Sequence, residues 1–278
     1  MKKLCVILLA LALGLAAVGA YAQVEAVPIY DCDGFTYILL EDGTAQIVSW
    51  DGADVDLVVP GELDGYRVTS ISECAFYDCQ SLERVVLPRS IVEIGEYAFS
   101  DCDNLSSVIL PEGLLRLGDC AFDHCEGLTG IALPDSLVSV GDNPFRGCAN
   151  LFDIFVSPEH DYLATIDGVL FSKPDRRLVC YPMGYSAGRY SVPEGVLDIG
   201  AMAFDRDLYI EEIVLPNSLV SIGDEAFNGC EGLRAMNLPA GVKSIGEDAM
   251  RCKNLTITFE GDQNEWQMAG LETVKDEA

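Results

Sequence analysis

The sequence predicts a curved α/β solenoid. In this fold parallel strands form one concave β-sheet, short helical or 3₁₀ turns form the convex side, and a cap closes each end. One block recurs as LERVVLPRSIVEIGEYAFSDC (82–102), LSSVILPEGLLRLGDCAFDHC (105–125) and LTGIALPDSLVSVGDNPFRGC (128–148). Its apolar anchor returns every 23 residues on both sides of one interruption, at Phe76, Phe99, Phe122 and Phe145 and then at Phe204, Phe227 and Met250. One block cannot bury its apolar side alone, whereas stacked copies share a continuous core.

Residues 1–22 have the features of a secretory signal peptide. Lys2 and Lys3 precede a short apolar run, and Ala-Tyr-Ala at positions 20–22 gives a small-x-small cleavage site. The apolar run is too short for a comfortable membrane span. We therefore expect export to the cell surface or the medium, with no transmembrane segment in the mature chain.

The charge balance excludes two classes of partner. The chain has 45 acidic and 17 basic residues, a formal net charge of -28. Nucleic acid and anionic membranes both require a cationic face, so neither is an expected partner. The acidity is explained either by solubility or by binding of cations or basic partners.

Residues 23–65 lie before the first block and are predicted to form an N-terminal β-hairpin cap. The segment FTYILLEDGTAQIVSW alternates as two strands around Asp42-Gly43, a strong hairpin turn, and a further strand, DLVVP, follows. Such a cap would cover the apolar face of the first block.

The repeats occupy residues 66–156 and 190–255, and each block has two motifs. The motif L-x-x-I-x-L-P alternates as a strand does and ends at a proline, which cannot donate to a sheet. The motif I-G-x-x-A-F-x-x-C is predicted to form one helical or 3₁₀ turn after a glycine corner. Residues 256–278 are predicted to form a C-terminal cap, with Trp266 available to cover the last block. With a cap at each end, we expect a complete solenoid.

The combined pattern L-x-x-I-x-L-P…I-G-x-x-A-F-x-x-C resembles the BspA-like class of leucine-rich repeats found in secreted bacterial surface proteins. The resemblance covers nearly all of the mature chain, including the hairpin YILLEDGTAQIVSWDG and the entry DGYRVTSI. The segment TITFEGDQNEWQMAGL is similar to the closing strand and small helix of that family. It implies a cell-surface or extracellular role, with adhesion to host matrix proteins for some members.

The cysteines form a column within the repeats. Five of them follow the anchor by three residues, at Cys79, Cys102, Cys125, Cys148 and Cys230. A column residue faces inward in every block, where cysteine behaves as a small buried hydrophobe. If that side is helical, neighbouring blocks lie about 10 Å apart, beyond the ~7 Å Cα limit for a disulfide. We therefore expect mostly free thiols.

Residues 157–189 interrupt the repeats and are predicted to form a β-hairpin insertion, centred on IDGVLFSKPDRRLVCYP. One interpretation is a decoration that packs on the edge of the solenoid. The other is a protruding contact arm, because loops on rigid scaffolds often bind partners. The aromatic cluster of such an arm would comprise Tyr162, Phe171, Tyr181 and Tyr185.

No motif for catalysis, a cofactor or a metal is present. The only histidines, His124 and His160, have no nucleophile motif nearby, and no hydrolase, zinc-protease, nucleotide or dinucleotide fingerprint occurs. An acidic residue follows the corner glycine position in most blocks, at Glu73, Glu96, Asp119, Asp142, Asp224 and Glu247. We interpret these as caps of the helical turns, because a calcium ladder needs several ligands per turn.

The outward positions of the strands are the candidate binding surface. In L-x-x-I-x-L-P the residues on either side of the isoleucine face away from the core. The candidates on this concave face are Arg84, Val86, Ser107, Ile109, Ala132, Asp153, Phe155, Glu212, Val214 and Asn237. The apolar members mark either a partner site or ordinary strand propensity.

The leading hypothesis is a non-enzymatic, secreted binding protein whose concave sheet engages a protein or a glycan. The alternative is a structural envelope module that self-associates. The sequence does not distinguish the two.

Overall fold

The computed structural model describes residues 27–261, which form a solenoid of 23 short strands joined by turns. The predicted solenoid of parallel strands is confirmed, although each block contributes to two sheets and not to one. We call strands from the L-x-x-I-x-L-P motif front strands and strands from the I-G motif back strands. The predicted signal peptide, and the small helix with Trp266, lie outside the described residues.

The N-terminal part begins with an antiparallel meander. Strands β1 (Ile29–Cys32), β2 (Phe35–Leu39) and β3 (Ala45–Trp50) pair in order, with Asp42-Gly43 in the second turn. Strand β3 then pairs in parallel with β6 (Tyr66–Ile71), so the meander continues directly into the back sheet. Between them lie β4 (Asp56–Val58) and β5 (Glu62–Leu63), of which β5 pairs with β6.

The front strands are parallel and fall into three groups. The first group is β4, β7 (Arg84–Val86) and β9 (Ser107–Ile109), and the second is β11 (Gly130–Ala132) and β13 (Asp153–Phe155). The third group comprises β17 (Arg189–Ser191), β19 (Glu212–Val214), β21 (Ala235–Leu238) and β23 (Thr256–Phe259). Because β4 pairs with β7, the front ladder starts inside the segment that we predicted as a cap.

The back strands are only two residues long in each repeat. They are β8 (Glu93–Ile94), β10 (Arg116–Leu117), β12 (Ser139–Val140), β18 (Asp198–Ile199), β20 (Ser221–Ile222) and β22 (Ser244–Ile245). The glycine that follows each strand is required by close stacking. A Cβ on Gly118, for example, would lie 2.6 Å from the backbone nitrogen of Glu96 in the preceding block.

The predicted helical turns are wrong, because residues 27–261 contain no helix. In the turn that contains Phe99, Tyr97 and Asp101 adopt left-handed backbone angles. The N–H groups of Tyr97, Phe99 and Asp101 donate to carbonyls of the next block at 2.8–3.0 Å. These N–H groups bond between blocks and not within a helical turn. The acidic column therefore caps no helix: the carboxylate of Asp119 accepts from the Asp142 N–H at 2.8 Å, one block away.

The anchoring aromatics stack along the core at the spacing of β-strands. Ring centroids are 4.7 Å apart for Phe76 and Phe99, 5.2 Å for Phe99 and Phe122, and 5.9 Å for Phe122 and Phe145. All of these rings are buried. Adjacent blocks are thus about 5 Å apart, the separation of paired strands, and not the 10 Å of packed helices.

The ten cysteines of residues 27–261 are all thiols. The spacing that we used to predict this is wrong, because cysteines of adjacent blocks lie within the range that a disulfide spans. Five of the ten thiols instead donate to the carbonyl of the preceding anchor, among them Cys125 to Phe99 at 3.1 Å and Cys230 to Phe204 at 3.0 Å. The column is therefore a ladder of buried thiol–carbonyl contacts.

The insertion contributes a strand to the back sheet. Strands β14 (Leu163–Ile166), β15 (Val169–Ser172) and β16 (Arg177–Cys180) form an antiparallel meander, and β16 pairs in parallel with β18. Directly after β16, Tyr181 lies 23 residues before Phe204 and stacks on it at 4.9 Å. The last strand of the insertion therefore belongs to an altered repeat.

The insertion also separates the core into two clusters. Leu170 and Val179 belong to the first cluster, which includes the anchors from Phe76 to Phe145. Val169, Phe171, Leu178 and Tyr181 belong to the second, which includes Phe204 and Phe227. We call β15 and β16 the partition, because alternate side chains pack into one core or the other. The insertion is thus neither an edge decoration nor, at Phe171 and Tyr181, a contact arm.

Candidate functional site

An exposed apolar column crosses the first five front strands. Its members are Val58, Val86, Ile109, Ala132 and Phe155. Val58, Val86 and Ile109 are direct neighbours in the strand register, as are Ala132 and Phe155. Val58, Ile109 and Phe155 are 70%, 57% and 58% exposed. We call these five residues the apolar column.

The column ends at the partition. On the far side the corresponding positions carry Ser191, Val214, Asn237 and Thr258, of which Ser191 pairs with Val214 and Asn237 with Thr258. Val214 is half-buried and has no apolar neighbour in this row. The predicted site residues of the second half therefore do not extend the apolar surface.

Polar candidates of the front face are occupied by local contacts. Arg84 pairs with Asp56 of the adjacent strand, and Glu212 lies 3.4 Å from Arg189. The Asn237 side chain bonds both backbone groups of Leu215, accepting at 2.7 Å and donating at 3.0 Å. Ser107 and Asp153 are exposed beside the apolar column.

The four predicted aromatics of the insertion are not one surface. Phe171 and Tyr181 are buried in the second core, and Tyr185 is half-buried against the Tyr181 ring at 5.9 Å. Only Tyr162 is exposed. Of the four, only Phe171 lies in the partition, and Tyr181 follows it directly.

Sequence reasoning missed Val58. It lies in DLVVP, which we assigned to the cap because that segment precedes the first block; Val58 is 28 residues before Val86 and so falls outside the 23-residue period. The alternation and final proline of DLVVP match those of RVVLP (84–88), and this likeness is a signal that could have identified the strand.

A ring of charged side chains joins three turns at the break in the repeat. Arg146 Nε lies 2.7 Å from Asp205 Oδ2, and Arg146 Nη1 lies 4.0 Å from Asp123 Oδ2. His124 Nδ1 lies 3.0 Å from Asp123 Oδ1. Arg206 closes the ring, with Nη1 3.4 Å from His124 Nε2 and Nε 3.8 Å from Asp205 Oδ2. We call these five residues the charged ring.

The ring is largely buried, which affects its protonation. Burial raises the pKa of the Asp205 carboxyl, against the opposing effect of Arg146. The hydrogen bond to Asp123 raises the pKa of His124, with burial opposing it. With Nδ1 donating to Asp123, the neutral imidazole presents Nε2 as an acceptor to Arg206. A cleft of about 430 Å³ lies beside the ring and is lined in part by His124 and Arg206.

Residues 27–261 contain neither a metal-binding cluster nor a membrane-spanning helix. No group of three His, Cys, Asp or Glu side chains in this range could hold a metal ion. Nor does the range contain a helix long and apolar enough to cross a bilayer.

A family model described as a BspA-type leucine-rich repeat region matches six copies, over residues 67–175 and 186–265. No curated protein matches the chain.

Several solved structures are similar. A leucine-rich repeat protein from Eubacterium ventriosum is 22% identical over 84% of this chain and 73% of that chain, with a TM-score of 0.61. The pneumococcal vaccine antigen PcpA is 20% identical over 84% of this chain and 82% of that chain, with a TM-score of 0.55. At these identities the likeness shows the fold alone. A T. pallidum leucine-rich repeat protein is 27% identical over 78% of this chain and 84% of that chain, with a TM-score of 0.48.

Proposed function

The chain belongs to the BspA-type leucine-rich repeat family, and on that premise we propose that it is a secreted or cell-surface protein that binds a protein partner through the apolar column, without catalysis. Export is supported by the signal-peptide features of residues 1–22. The partners that we propose include host matrix proteins, to which the chain would adhere.

The observation that carries this proposal is the contrast within one row of the front sheet. Strand propensity favours β-branched residues at any strand position. It does not require them, because the same row carries Ser191 and Asn237 in the second half, and its β-branched Thr258 is polar. The fold therefore tolerates polar residues at the positions where Val58, Ile109 and Phe155 are exposed. A contiguous apolar surface that the fold does not need is typical of a partner site.

The size and chemistry of the column favour a protein over a glycan. Five neighbouring strands at about 4.8 Å per step span about 19 Å. Full burial of each valine, isoleucine or phenylalanine contributes about 1.5–3 kcal/mol. Phe155 is the only aromatic in the row, whereas a sugar-binding surface needs flat rings together with several polar groups. The charges of Asp56 and Arg84 compensate each other, whereas Asp153 is exposed beside the column. The flank of the column is therefore acidic, and we expect basic residues around the apolar centre of the partner.

The proposal is tested by placing charge in the column. Ile109→Glu and Phe155→Glu should each weaken binding at least about tenfold, because a carboxylate would be desolvated in the interface. Ser191→Glu is the matched control, since it adds the same charge to the same row beyond the partition. Binding to immobilised fibronectin, laminin and collagen is measured by surface plasmon resonance.

The oligomeric state in solution distinguishes this proposal from the structural alternative, a module that self-associates. Size-exclusion chromatography with light scattering should show a monomer that the substitutions do not alter. The proposal fails if none of the matrix proteins binds, or if the column variants bind as well as Ser191→Glu. A wild-type oligomer that Phe155→Glu dissociates would instead favour self-association.

A further inference from the structure

The turn after Tyr181 is two residues shorter than its counterparts. Gly127 and Gly184 occupy equivalent places, because a Cβ on either would lie 2.6–2.8 Å from the carbonyl oxygen of the leucine six residues after the preceding anchor, Leu105 or Leu151. Five positions separate Phe122 from Gly127, but only three separate Tyr181 from Gly184. Pro182 and Met183 thus replace a four-residue turn, and the cleft of about 430 Å³ lies at this place.

Two columns of residues line the cleft. One contains His124, Gly147, Arg206 and Gly229, and the other contains Glu126, Ala149, Leu208 and Glu231, with Met183 from the shortened turn. Each column takes one residue from each of four blocks. The cleft therefore runs along the solenoid axis, with an acidic residue towards each end.

An unused backbone donor lies in the wall. In complete turns the N–H at this position donates to the next block, as His124 does to Arg146 at 2.9 Å and Gly229 to Arg251 at 3.0 Å. The Gly147 N–H donates to no atom of residues 27–261. Gly147 has a φ of +69°, and a Cβ there would lie 2.8 Å from the His124 ring, so a larger residue would have to displace that ring.

Leu208 makes part of the cleft apolar, and the fold does not require it. It is 59% exposed. The equivalent position in other blocks is occupied by Gln80, Asp103, Glu126, Ala149, Glu231 and Lys253. With Met183 close by, Leu208 provides a place for an apolar side chain of a ligand.

The charges of the cleft disfavour an anionic ligand. Arg206 and His124 face the carboxylates of Asp205 and Asp123, which compensate them within the charged ring. Glu126 is exposed, and Glu231 has only a solvent-exposed pair with Lys253 at 2.5 Å. With a net charge of -28 around it, the cleft favours a cation.

We propose that this cleft binds a peptide segment in which apolar residues are flanked by basic ones. A peptide carbonyl accepts from the Gly147 N–H, an apolar side chain packs against Leu208 and Met183, and a basic side chain pairs with Glu126 or Glu231. The site is separate from the apolar column and does not depend on it.

The probe is a fluorescein-labelled peptide, Gly-Lys-Leu-Leu-Lys-Gly, titrated with the protein and followed by fluorescence anisotropy. Leu208→Ser should weaken binding by about tenfold or more, the equivalent of losing a buried leucine contact. Leu115→Ser is the matched control, because Leu115 is an exposed leucine outside the cleft. Because the substituted side chains are exposed, each variant should melt at the wild-type temperature. Binding is compared only among variants that do so.

The electrostatic part is tested separately. The double variant Glu126→Gln, Glu231→Gln should weaken binding and reduce its salt dependence, whereas Glu112→Gln should do neither. Peptides with Glu for Lys, or Ser for Leu, should bind at least about tenfold more weakly. Equal binding by wild type and Leu208→Ser, equal binding of all three peptides, or no binding at millimolar concentration would overturn the proposal.

Discussion

The two stacks on either side of the partition have the same interior but different surfaces. In the first stack four phenylalanines are buried in series, and the front strands carry the apolar column. In the second stack Tyr181, Phe204 and Phe227 continue the same interior arrangement at 4.9 Å, whereas the equivalent outward row is mainly polar. Because both stacks fold with the same core, folding does not require the apolar residues of the first outward row, which is why we assign them to the proposed binding function.

The partition is where the two stacks are coupled. Tyr181 is fully buried, and its neighbour Cys180 belongs to the other core cluster. In repeat proteins each unit contacts only its neighbours, so cooperativity passes through each interface in turn. The partition should therefore determine whether the chain unfolds as one unit or two.

Removal of the Tyr181 ring should have the largest effect. Tyr181→Ala deletes a buried ring that stacks on Phe204, which should cost about 3–5 kcal/mol. It should also separate thermal unfolding into two transitions, because the cavity lies where the second core meets the partition. Differential scanning calorimetry measures both effects.

Tyr181→Phe is the control for that experiment. It keeps the ring and removes only the hydroxyl, which lies 3.5 Å from the Tyr185 carbonyl, so the cost should be about 1 kcal/mol with one transition. A single transition in Tyr181→Ala would show that the stacks are coupled by something other than this ring.

The charged ring should be the next most sensitive part of the junction. Arg146→Ala leaves the buried carboxylate of Asp205 without its 2.7 Å partner, and should cost about 3 kcal/mol. Arg206→Ala should cost less than about 1 kcal/mol, because Arg206 is exposed. Urea denaturation of both variants gives the comparison. Equal losses of unfolding free energy in the two variants would mean that the charged ring does not depend on the buried pair of Arg146 and Asp205.

The sequence predicts the core and the strands well because both follow from spacing. The anchors, the terminal prolines and the alternation in L-x-x-I-x-L-P are each set by a local rule. The turn was mispredicted because I-G-x-x-A-F-x-x-C is equally compatible with a helical turn and with N–H groups that bond between blocks. That choice depends on the distance to the next block, which a single block does not contain.

The candidate surfaces were predictable only in part. The outward positions of Ile109 and Phe155 follow from strand alternation, and both are exposed. The cleft was not predictable from motifs, since it arises from two residues that are absent after Tyr181. Aligning Tyr181 with Phe204, 23 residues later, would have revealed the short turn.

The thiol ladder offers a smaller test of whether the two interiors are equivalent. Cys125 and Cys230 are fully buried, and each donates to the carbonyl of the preceding anchor, at 3.1 and 3.0 Å. Substitution by alanine removes one atom and one weak hydrogen bond, so each variant should lose about 1 kcal/mol. Chemical denaturation measures the two costs. A clearly larger loss in one stack would show that the interiors differ.

Mild acid should stabilise the protein, with most of the effect coming from the second stack. Burial is the main cause that raises the carboxyl pKa values of Asp198, Asp205 and Asp207 in the second stack, and of Glu96 and Asp142 in the first. The folded chain therefore binds protons more tightly than the unfolded chain. The free energy of unfolding should therefore increase as pH falls from 7 towards the ordinary carboxyl pKa range. This added stability is lost as pH rises through the raised pKa values.

The pH effect is the smallest expected, so its control must separate local burial from general charge repulsion. At high salt the long-range repulsion of a chain with a net charge of -28 is screened, whereas the desolvation of a buried carboxyl persists. Asp207→Asn should therefore reduce the slope of melting temperature against pH even at high salt, because Asp207 is buried and its Oδ2 has no hydrogen-bond partner within residues 27–261. Asp153→Asn, at an exposed site, should leave the slope unchanged. If both variants behave alike, the pH dependence comes from the overall charge and not from the buried carboxyls.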